Sequence, residues 1–281
     1  MKIAILTVEA PNQAALCWKL SAHCELSGLV FSRNRVRRPW ALRLRLLINR
    51  LQGRLAASPF IRAWQQLQQR YRQRYPFFPD IPTLRVDNIN DPQTSSFLEA
   101  AAPEIILVSG TNLVGQALIQ WASARSIPLV NLHTGLSPYM KGGPDCTNWC
   151  LAEGAFLYIG STVLWLDAGI DSGPILTSER APLTGRESLL QLHEQVMEHA
   201  HDLCVRAVRA LAAGQAVPRI PQERIASGRT FRAAQWDARA IRRARHALTH
   251  DFSPSHPAFQ GQTAEIALVP LSDAALDVAK A

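Results

Sequence analysis

Several features are absent from this sequence of 281 residues, and each absence narrows what the protein can be. No apolar run reaches the roughly 18 residues that a membrane-spanning helix needs. The N-terminal stretch MKIAILTVEA begins like a weak signal sequence, but Glu9 and Pro11 interrupt the run early. We therefore expect this stretch to be a first buried strand. The sequence has no internal repeats and no low-complexity stretch, and its apolar fraction of 47% is ordinary for a globular protein.

Cysteines are few, and their arrangement does not favour disulfide bonds. The five are Cys17, Cys24, Cys146, Cys150 and Cys204. An odd and scattered set is typical of a reducing compartment, so a cytoplasmic location is expected. Two of them lie one helical turn apart in CTNWC, but no second Cys or His pair follows at the spacing of a zinc site. Both are predicted to be core thiols, and no metal site is expected.

Acidic residues are missing from one long interval, between Glu25 and Asp80. Twelve of the 30 basic residues lie there, all arginines, from Arg33 to Arg74. The rest of the chain holds 18 basic and 22 acidic residues, so its net charge is −4, whereas the net charge of the whole chain is +8. The positive excess is therefore a local feature of this segment.

The apolar pattern alternates between two periods. Apolar runs typical of buried strands begin near residues 2, 24, 104 and 128, and segments with helical spacing lie between them. This alternation predicts an α/β fold, a Rossmann-like and mostly parallel sheet with helices on both faces. Later segments predict two more strands (158–167 and 174–181), a long helix (186–214) and a final helix (231–248).

Polar residues stand where two of these segments end. Asn131 and His133 are two residues apart at the end of a buried strand, so their side chains can point to the same side. Asp171 lies in the glycine-flanked turn AGIDSG between two apolar strands. Each residue taken alone is more typical of a turn than of catalysis. Ligands of open parallel sheets bind beyond the carboxyl ends of the strands, and Asn131 and His133 stand at such an end.

Two stretches carry a family resemblance: NLHTGLSPYMKGGP (131–144) and GSTVLWLDAGIDSGPIL (160–176). In this order and spacing they resemble the folate-dependent formyltransferase family, which includes the methionyl-tRNA, glycinamide ribonucleotide and sugar-nucleotide N-formyltransferases. The resemblance spans roughly residues 2 to 210 and is strongest from 104 to 176. It implies the formyltransferase fold, with a catalytic domain at 1–214 that carries a basic helical insertion at 33–75. A small C-terminal extension at 215–281 would follow.

The resemblance also implies roles for particular residues. The family's essential asparagine, histidine and aspartate fall on Asn131, His133 and Asp171. The cosubstrate is expected to be 10-formyltetrahydrofolate, bound without a metal. Its two binding loops fall on Gly110, Thr111, Asn112, Leu113 and Val114, and on Asp167, Ala168, Gly169 and Ile170.

These residue types fit the chemistry of formyl transfer. When an amine attacks the formyl carbon, negative charge builds on the carbonyl oxygen, and an amide N–H can donate to it. An imidazole can move the proton that the amine must lose, and a nearby carboxylate can support the imidazole. The expected reaction is therefore N-formylation of a primary amine.

Three departures from the family pattern bear on the acceptor. Thr134 stands where proline is usual, Gly135 where serine is common, and Leu164 where histidine is frequent. They resemble a branch associated with surface polysaccharides or modified sugars, so the expected acceptor is a small amine, an amino sugar linked to a nucleotide. Alternatives are hydrolysis of the formyl group, a methionyl-tRNA formyltransferase-like enzyme, and a folate- or RNA-binding protein without catalysis. Nucleic acid is disfavoured because too few strand-like runs follow residue 214 for a tRNA-binding barrel.

The arginine-rich segment allows more than one interpretation. Its arginines and aromatic residues could bind a nucleotide diphosphate, tRNA or an anionic membrane surface. Alternatively, a helix over 40–55 packs its leucines on the sheet and exposes its arginines to solvent. The final helix of the chain could pair two subunits into a homodimer.

Overall fold

The computed structural model of the protein describes residues 1–34, 59–143, 145–260 and 266–271. The strands are β1 (Lys2–Thr7), β2 (Glu25–Ser32), β3 (Thr83–Val86), β4 (Ile105–Val108), β5 (Leu129–His133), β6 (Met140–Gly142), β7 (Gly160–Trp165), β8 (Ile175–Arg180) and β9 (Arg229–Phe231). Seven of them form one sheet in the order β3-β2-β1-β4-β5-β7-β8, and β6 pairs with β9. Strands β1 to β5 are parallel to one another, whereas β7 runs antiparallel to both β5 and β8.

Helices cover both faces of this sheet. They are α1 (Pro11–Ser21), α2 (59–74), α3 (Pro92–Ala101), α4 (Gln116–Ser123), α5 (Cys146–Ala152), α6 (Leu189–Ala212) and α7 (Ala238–His250). Alternate residues of β1 serve opposite faces: Ile3 and Ile5 belong to a core with α1 and α6, and Leu6 to a core with α3 and α4. Burial on both faces explains why the central strands are continuously apolar. The predicted fold class, α/β with a mostly parallel sheet, is confirmed.

The basic insertion is described in part. Helix α2 occupies residues 59–74 and ends just before Tyr75 and Pro76. Tyr71 of α2 donates a hydrogen bond to Glu198 of α6 (2.7 Å), which holds α2 against the main domain. The helix predicted over 40–55, which holds four of the twelve arginines, lies outside the described residues.

The final helix begins later than its apolar pattern suggests. It was predicted over 231–248, but Phe231 ends β9 and a turn follows. The Asp237 carboxylate accepts hydrogen bonds from the backbone N–H groups of Arg239 and Ala240, and so caps α7 at this point. The apolar spacing continues upstream of Asp237, so the cap and not the apolar pattern sets the residue at which α7 begins.

The residues beyond 214 pack on the main sheet. Strand β9 pairs with β6 beside the motif at 131–144, and Ile220 forms a bridge with Ile175 of β8. Val269 exchanges backbone and side-chain hydrogen bonds with Ser178 on the same edge strand. The division of the chain at residue 214 remains a prediction.

Candidate functional site

Asn131 and His133 lie on β5, whose neighbours are β4 and β7. Because successive strand residues point to opposite faces, these two side chains share a face of the sheet. Asn131 is half-buried, and His133 is only 9% exposed. The backbone of β5 therefore sets the positions of both side chains.

Asp171 lies in the loop between β7 and β8, at a left-handed backbone conformation (φ 47°). Such a conformation is uncommon for a residue other than glycine, and the surrounding contacts hold it in place. The Asp167 carboxylate accepts hydrogen bonds from Gly169 N–H (3.0 Å) and from the Ser172 hydroxyl (2.7 Å). From the C-terminal segment, the Gln222 amide donates to the carbonyl oxygens of Asp171 (2.7 Å) and Gly173 (2.8 Å).

The structure brings the three predicted site residues together. Asn131 Nδ2 donates to Asp171 Oδ1 at 3.2 Å, and His133 Nδ1 lies 3.4 Å from Asp171 Oδ2. The backbone N–H of Gly142 also donates to Oδ2 (3.0 Å). An asparagine amide has two N–H groups, so Asn131 keeps one for another acceptor. Asp171 thus links the amide and the imidazole.

A cavity of about 220 Å³ adjoins this cluster. Its volume is many times the roughly 10–15 Å³ that a single water needs on the same measure. The predicted cosubstrate residues that line it are Gly110, Thr111, Asn112, Leu113, Val114, Asp167, Gly169 and Ile170. Asn131 and Asp171 line it as well, whereas Ala168 and His133 are not part of its wall. The imidazole therefore lies behind Asp171 as seen from the cavity.

The loop at 110–114 is held by a group of asparagines. Asn112 Oδ1 accepts hydrogen bonds from the Ser32 hydroxyl (2.7 Å) and from Ile89 N–H (3.1 Å). Asn90 donates to the Leu113 carbonyl (2.9 Å) and accepts from Gly115 N–H (2.6 Å). The Asn112 amide also donates to Asn88 Oδ1, and its backbone N–H donates to Asn34 Oδ1 (2.8 Å), so Asn112 holds its own loop in place.

Two apolar side chains are exposed beside the cavity. Leu113 is 53% exposed and Ile170 is 46% exposed, one on each of the two cavity loops. A large apolar side chain in water is available for contact with a ligand. The pair gives the cavity an apolar rim.

Sequence reasoning missed Cys146 as a neighbour of the site. It was predicted to be a core thiol, and it is buried, but its Sγ lies 3.5 Å from His133 Nε2. Burial raises the pKa of this thiol well above its ordinary value of 9.0, and the charge of Asp171 acts in the same direction. The spacing in CTNWC indicated a shared helix face but not which side chain that face would meet.

The unusual Gly135 has a steric reason. A Cβ at this position would lie 2.3 Å from His133 Nε2 and 2.8 Å from Cys146 Sγ. The other departure at the site, Leu164, is buried and lies opposite Asn131 in the pairing of β5 with β7. Both departures therefore lie against the candidate site.

Within the part of the chain that the structure describes, no helix combines the length and the apolar character needed to cross a membrane. No group of three or more His, Cys, Asp or Glu side chains in the described ranges has the geometry to hold a metal ion.

Comparison with known proteins gives consistent results. A family model described as formyl transferase matches residues 61–208. The methionyl-tRNA formyltransferase of Syntrophus aciditrophicus is 35% identical over 144 residues, which are 51% of this chain and 44% of that protein. The chain thus spans about half the length of the curated relatives it matches.

Solved structures share the fold over a larger part of the chain. A 4-N formyltransferase from Francisella tularensis has a TM-score of 0.54 at 13% identity, covering 96% of this chain and 97% of that one. A sugar N-formyltransferase from a Shewanella species has a TM-score of 0.53 at 13% identity, covering 87% of each chain. At this identity the likeness shows the fold alone. The resemblance found in the two sequence motifs is confirmed.

Proposed function

The chain belongs to the formyl transferase family, and from this premise we propose that it transfers a formyl group from 10-formyltetrahydrofolate to a primary amine. The observation that carries the proposal is the contact of Asp171 with both Asn131 and His133 at the wall of a cavity. The donor's ring system would enter the cavity between the loops at 110–114 and 167–171. Leu113 and Ile170 would contact its apolar faces at the rim.

The reaction itself requires charge stabilisation and proton transfer. As the amine nitrogen bonds to the formyl carbon, the carbonyl oxygen becomes an oxyanion, and the free N–H of Asn131 would donate to it. The attacking nitrogen then loses a proton, and the folate nitrogen gains one as its bond to carbon breaks. Asp171 lies at the cavity wall with His133 behind it, so this pair would carry the proton between the two nitrogens.

The acceptor that we propose is an amino sugar linked to a nucleotide. Proteins named as sugar and 4-N formyltransferases share this fold over 87–96% of the chain, including most of the region beyond the family match. Lys141, which is half-buried and precedes Gly142 of the Asp171 contact, would supply a cation for the acceptor's phosphates.

A second candidate acceptor is methionyl-tRNA. The observation that favours it is the 35% identity with a methionyl-tRNA formyltransferase over 144 residues. Those residues cover 44% of that relative.

The test is an acceptor panel with 10-formyltetrahydrofolate as donor. It compares nucleotide-linked amino sugars, the free amino sugars and methionyl-tRNA, and it follows the formylated product by mass spectrometry. We expect formylation of a nucleotide-linked amino sugar, and its loss in His133→Ala. Formylation of methionyl-tRNA alone would overturn the proposed acceptor, and release of formate without any acceptor would indicate a hydrolase. Full activity of His133→Ala would overturn the proposed site, and folate or RNA binding without turnover would favour a binding protein.

A further inference from the structure

Both nitrogens of the His133 ring have polar neighbours. Nδ1 faces Asp171 Oδ2, and Nε2 faces the Met140 carbonyl oxygen at 3.4 Å and Cys146 Sγ at 3.5 Å. The ring is buried, so it cannot exchange these neighbours for bulk water. The position of the proton on the neutral ring must therefore match the hydrogen-bonding neighbours of both Nδ1 and Nε2.

Asp171 determines whether Nδ1 carries the proton of the neutral ring. Its two oxygens accept hydrogen bonds from Asn131 Nδ2 and from Gly142 N–H, which is the arrangement of an ionised, acceptor-only carboxylate. A lone pair on Nδ1 would face this charge, so the neutral ring places its proton on Nδ1. The lone pair then lies on Nε2.

Nε2 consequently needs a hydrogen-bond donor. The Met140 carbonyl can only accept, which leaves the Cys146 thiol as the donor found within reach in the part of the chain that the structure describes. The Gly142 carbonyl (3.4 Å) and the Met140 carbonyl (3.6 Å) compete with Nε2 (3.5 Å) for the single thiol proton. The thiol keeps its proton because burial raises the pKa of Cys146 well above its ordinary value. Gly135 leaves the space in which ring and sulfur meet.

We propose that Cys146 is a positioning residue for His133, with its S–H donating to Nε2 and holding the neutral ring in the Nδ1–H form that faces Asp171. No bond is made or broken by the sulfur. The consequence for catalysis rests on the proposed function, because it assumes that His133 moves a proton during formyl transfer. The structural part of the proposal stands without it.

Removing the thiol should change the form of the ring. In Cys146→Ala no donor of the described ranges reaches Nε2, whereas an Nε2–H can still donate to the Met140 carbonyl. The population should then shift from the Nδ1–H toward the Nε2–H form. Cys150→Ala is the matched control, because Cys150 is buried on the same helix, one turn away, and its sulfur contacts the Tyr158 carbonyl instead.

The measurement is long-range ¹H–¹⁵N NMR of the His133 ring at alkaline pH, with His133→Gln used for assignment. We expect the Nδ1–H form in the unmodified protein and in Cys150→Ala, and a larger share of Nε2–H in Cys146→Ala. Cys146→Ser, which restores a donor, should return part of the Nδ1–H population. An Nε2–H ring in the unmodified protein would overturn the proposal even if no variant folded. So would equal populations in Cys146→Ala and Cys150→Ala.

Kinetics supply the second readout. We expect Cys146→Ala to lower kcat on the order of tenfold, the effect of one hydrogen bond lost beside the reacting groups, with both KM values unchanged. Cys150→Ala should keep its kcat, and an equal fall in both variants would indicate a packing effect and overturn the positioning role. If the unmodified protein transfers no formyl group, the proposed function fails while the NMR result still decides the ring form.

Discussion

Asn131 and Asp171 are 40 residues apart in the chain, yet Asn131 Nδ2 lies 3.2 Å from Asp171 Oδ1. The contact joins β5 to the loop that follows β7. It fixes the rotation of the Asn131 amide, because one N–H is held by the carboxylate and the other is left for a further acceptor. A preorganised donor of this kind needs no rearrangement when charge develops on a bound carbonyl oxygen.

Replacing Asn131 by alanine should remove the proposed oxyanion donor. We expect kcat to fall by about 10²–10³-fold, as in other enzymes that lose one such donor. Equilibrium binding of tetrahydrofolate, measured by calorimetry, should change little, because the loops at 110–114 and 167–171 remain. His23→Ala, at an exposed position on the surface, serves as a control and should keep full activity. An Asn131→Ala enzyme with normal kcat would remove Asn131 from the mechanism.

Gly135→Ala should displace the imidazole. The new Cβ would lie 2.3 Å from His133 Nε2, so either the ring or α5 must move. Overpacking of this kind costs typically about 1–3 kcal/mol of stability. We expect a lower midpoint of thermal unfolding together with a lower kcat.

The matched control for this substitution is Gly143→Ala. Among the described residues, no atom lies within 4 Å of a Cβ placed at Gly143, so stability should stay close to that of the unmodified protein. Equal thermal midpoints for the two variants would contradict the steric explanation of Gly135.

Asn90→Ala should loosen the loop at 110–114. The substitution removes the hydrogen bonds to the Leu113 carbonyl and to Gly115 N–H. We expect KM for 10-formyltetrahydrofolate to rise about tenfold, in line with the loss of about two hydrogen bonds, while kcat at saturation stays near its original value. Steady-state kinetics with varied donor concentration will measure this. Ser95→Ala on α3, whose hydroxyl donates only to the Pro92 carbonyl, should leave KM unchanged.

Glu153 should make stability depend on pH. Burial opposes its charged form, but the hydrogen bonds and charges of Arg229 and Arg243 outweigh it and lower the pKa of Glu153 below 4.5. A lowered pKa in the folded state stabilises the fold above pH 4.5, and this contribution is lost as the pH falls through the folded-state pKa. Glu153→Gln should therefore cost about 1–2 kcal/mol at neutral pH and progressively less in acid.

Urea unfolding at several pH values will test this dependence. Glu99→Gln is the control, since the Glu99–Arg125 pair is exposed and should contribute little. A Glu153→Gln difference that stays constant down to pH 3 would contradict the assignment. The result also concerns the C-terminal segment, because Arg229 lies on β9 and Arg243 on α7.

The sequence alone predicted the sheet, and the three residues that it singled out lie together in the structure. The strand at 128–132 and the pair Asn131 and His133 are local features, because strand periodicity decides which side chains share a face. The turn around Asp171 could also be predicted from the local sequence, since glycines mark a tight turn between two apolar strands. Local patterns of this kind need no knowledge of what lies opposite them.

Only the tertiary structure decided what these residues touch. It placed Cys146 against His133 and Gln222 against the Asp171 loop, and it separated the imidazole from the cavity wall. In the folded protein the Asn112 side chain holds the loop at 110–114 in place. These contacts join segments that are distant in the chain, and they depend on packing and on the hydrogen-bonding needs of buried groups, which no local periodicity records.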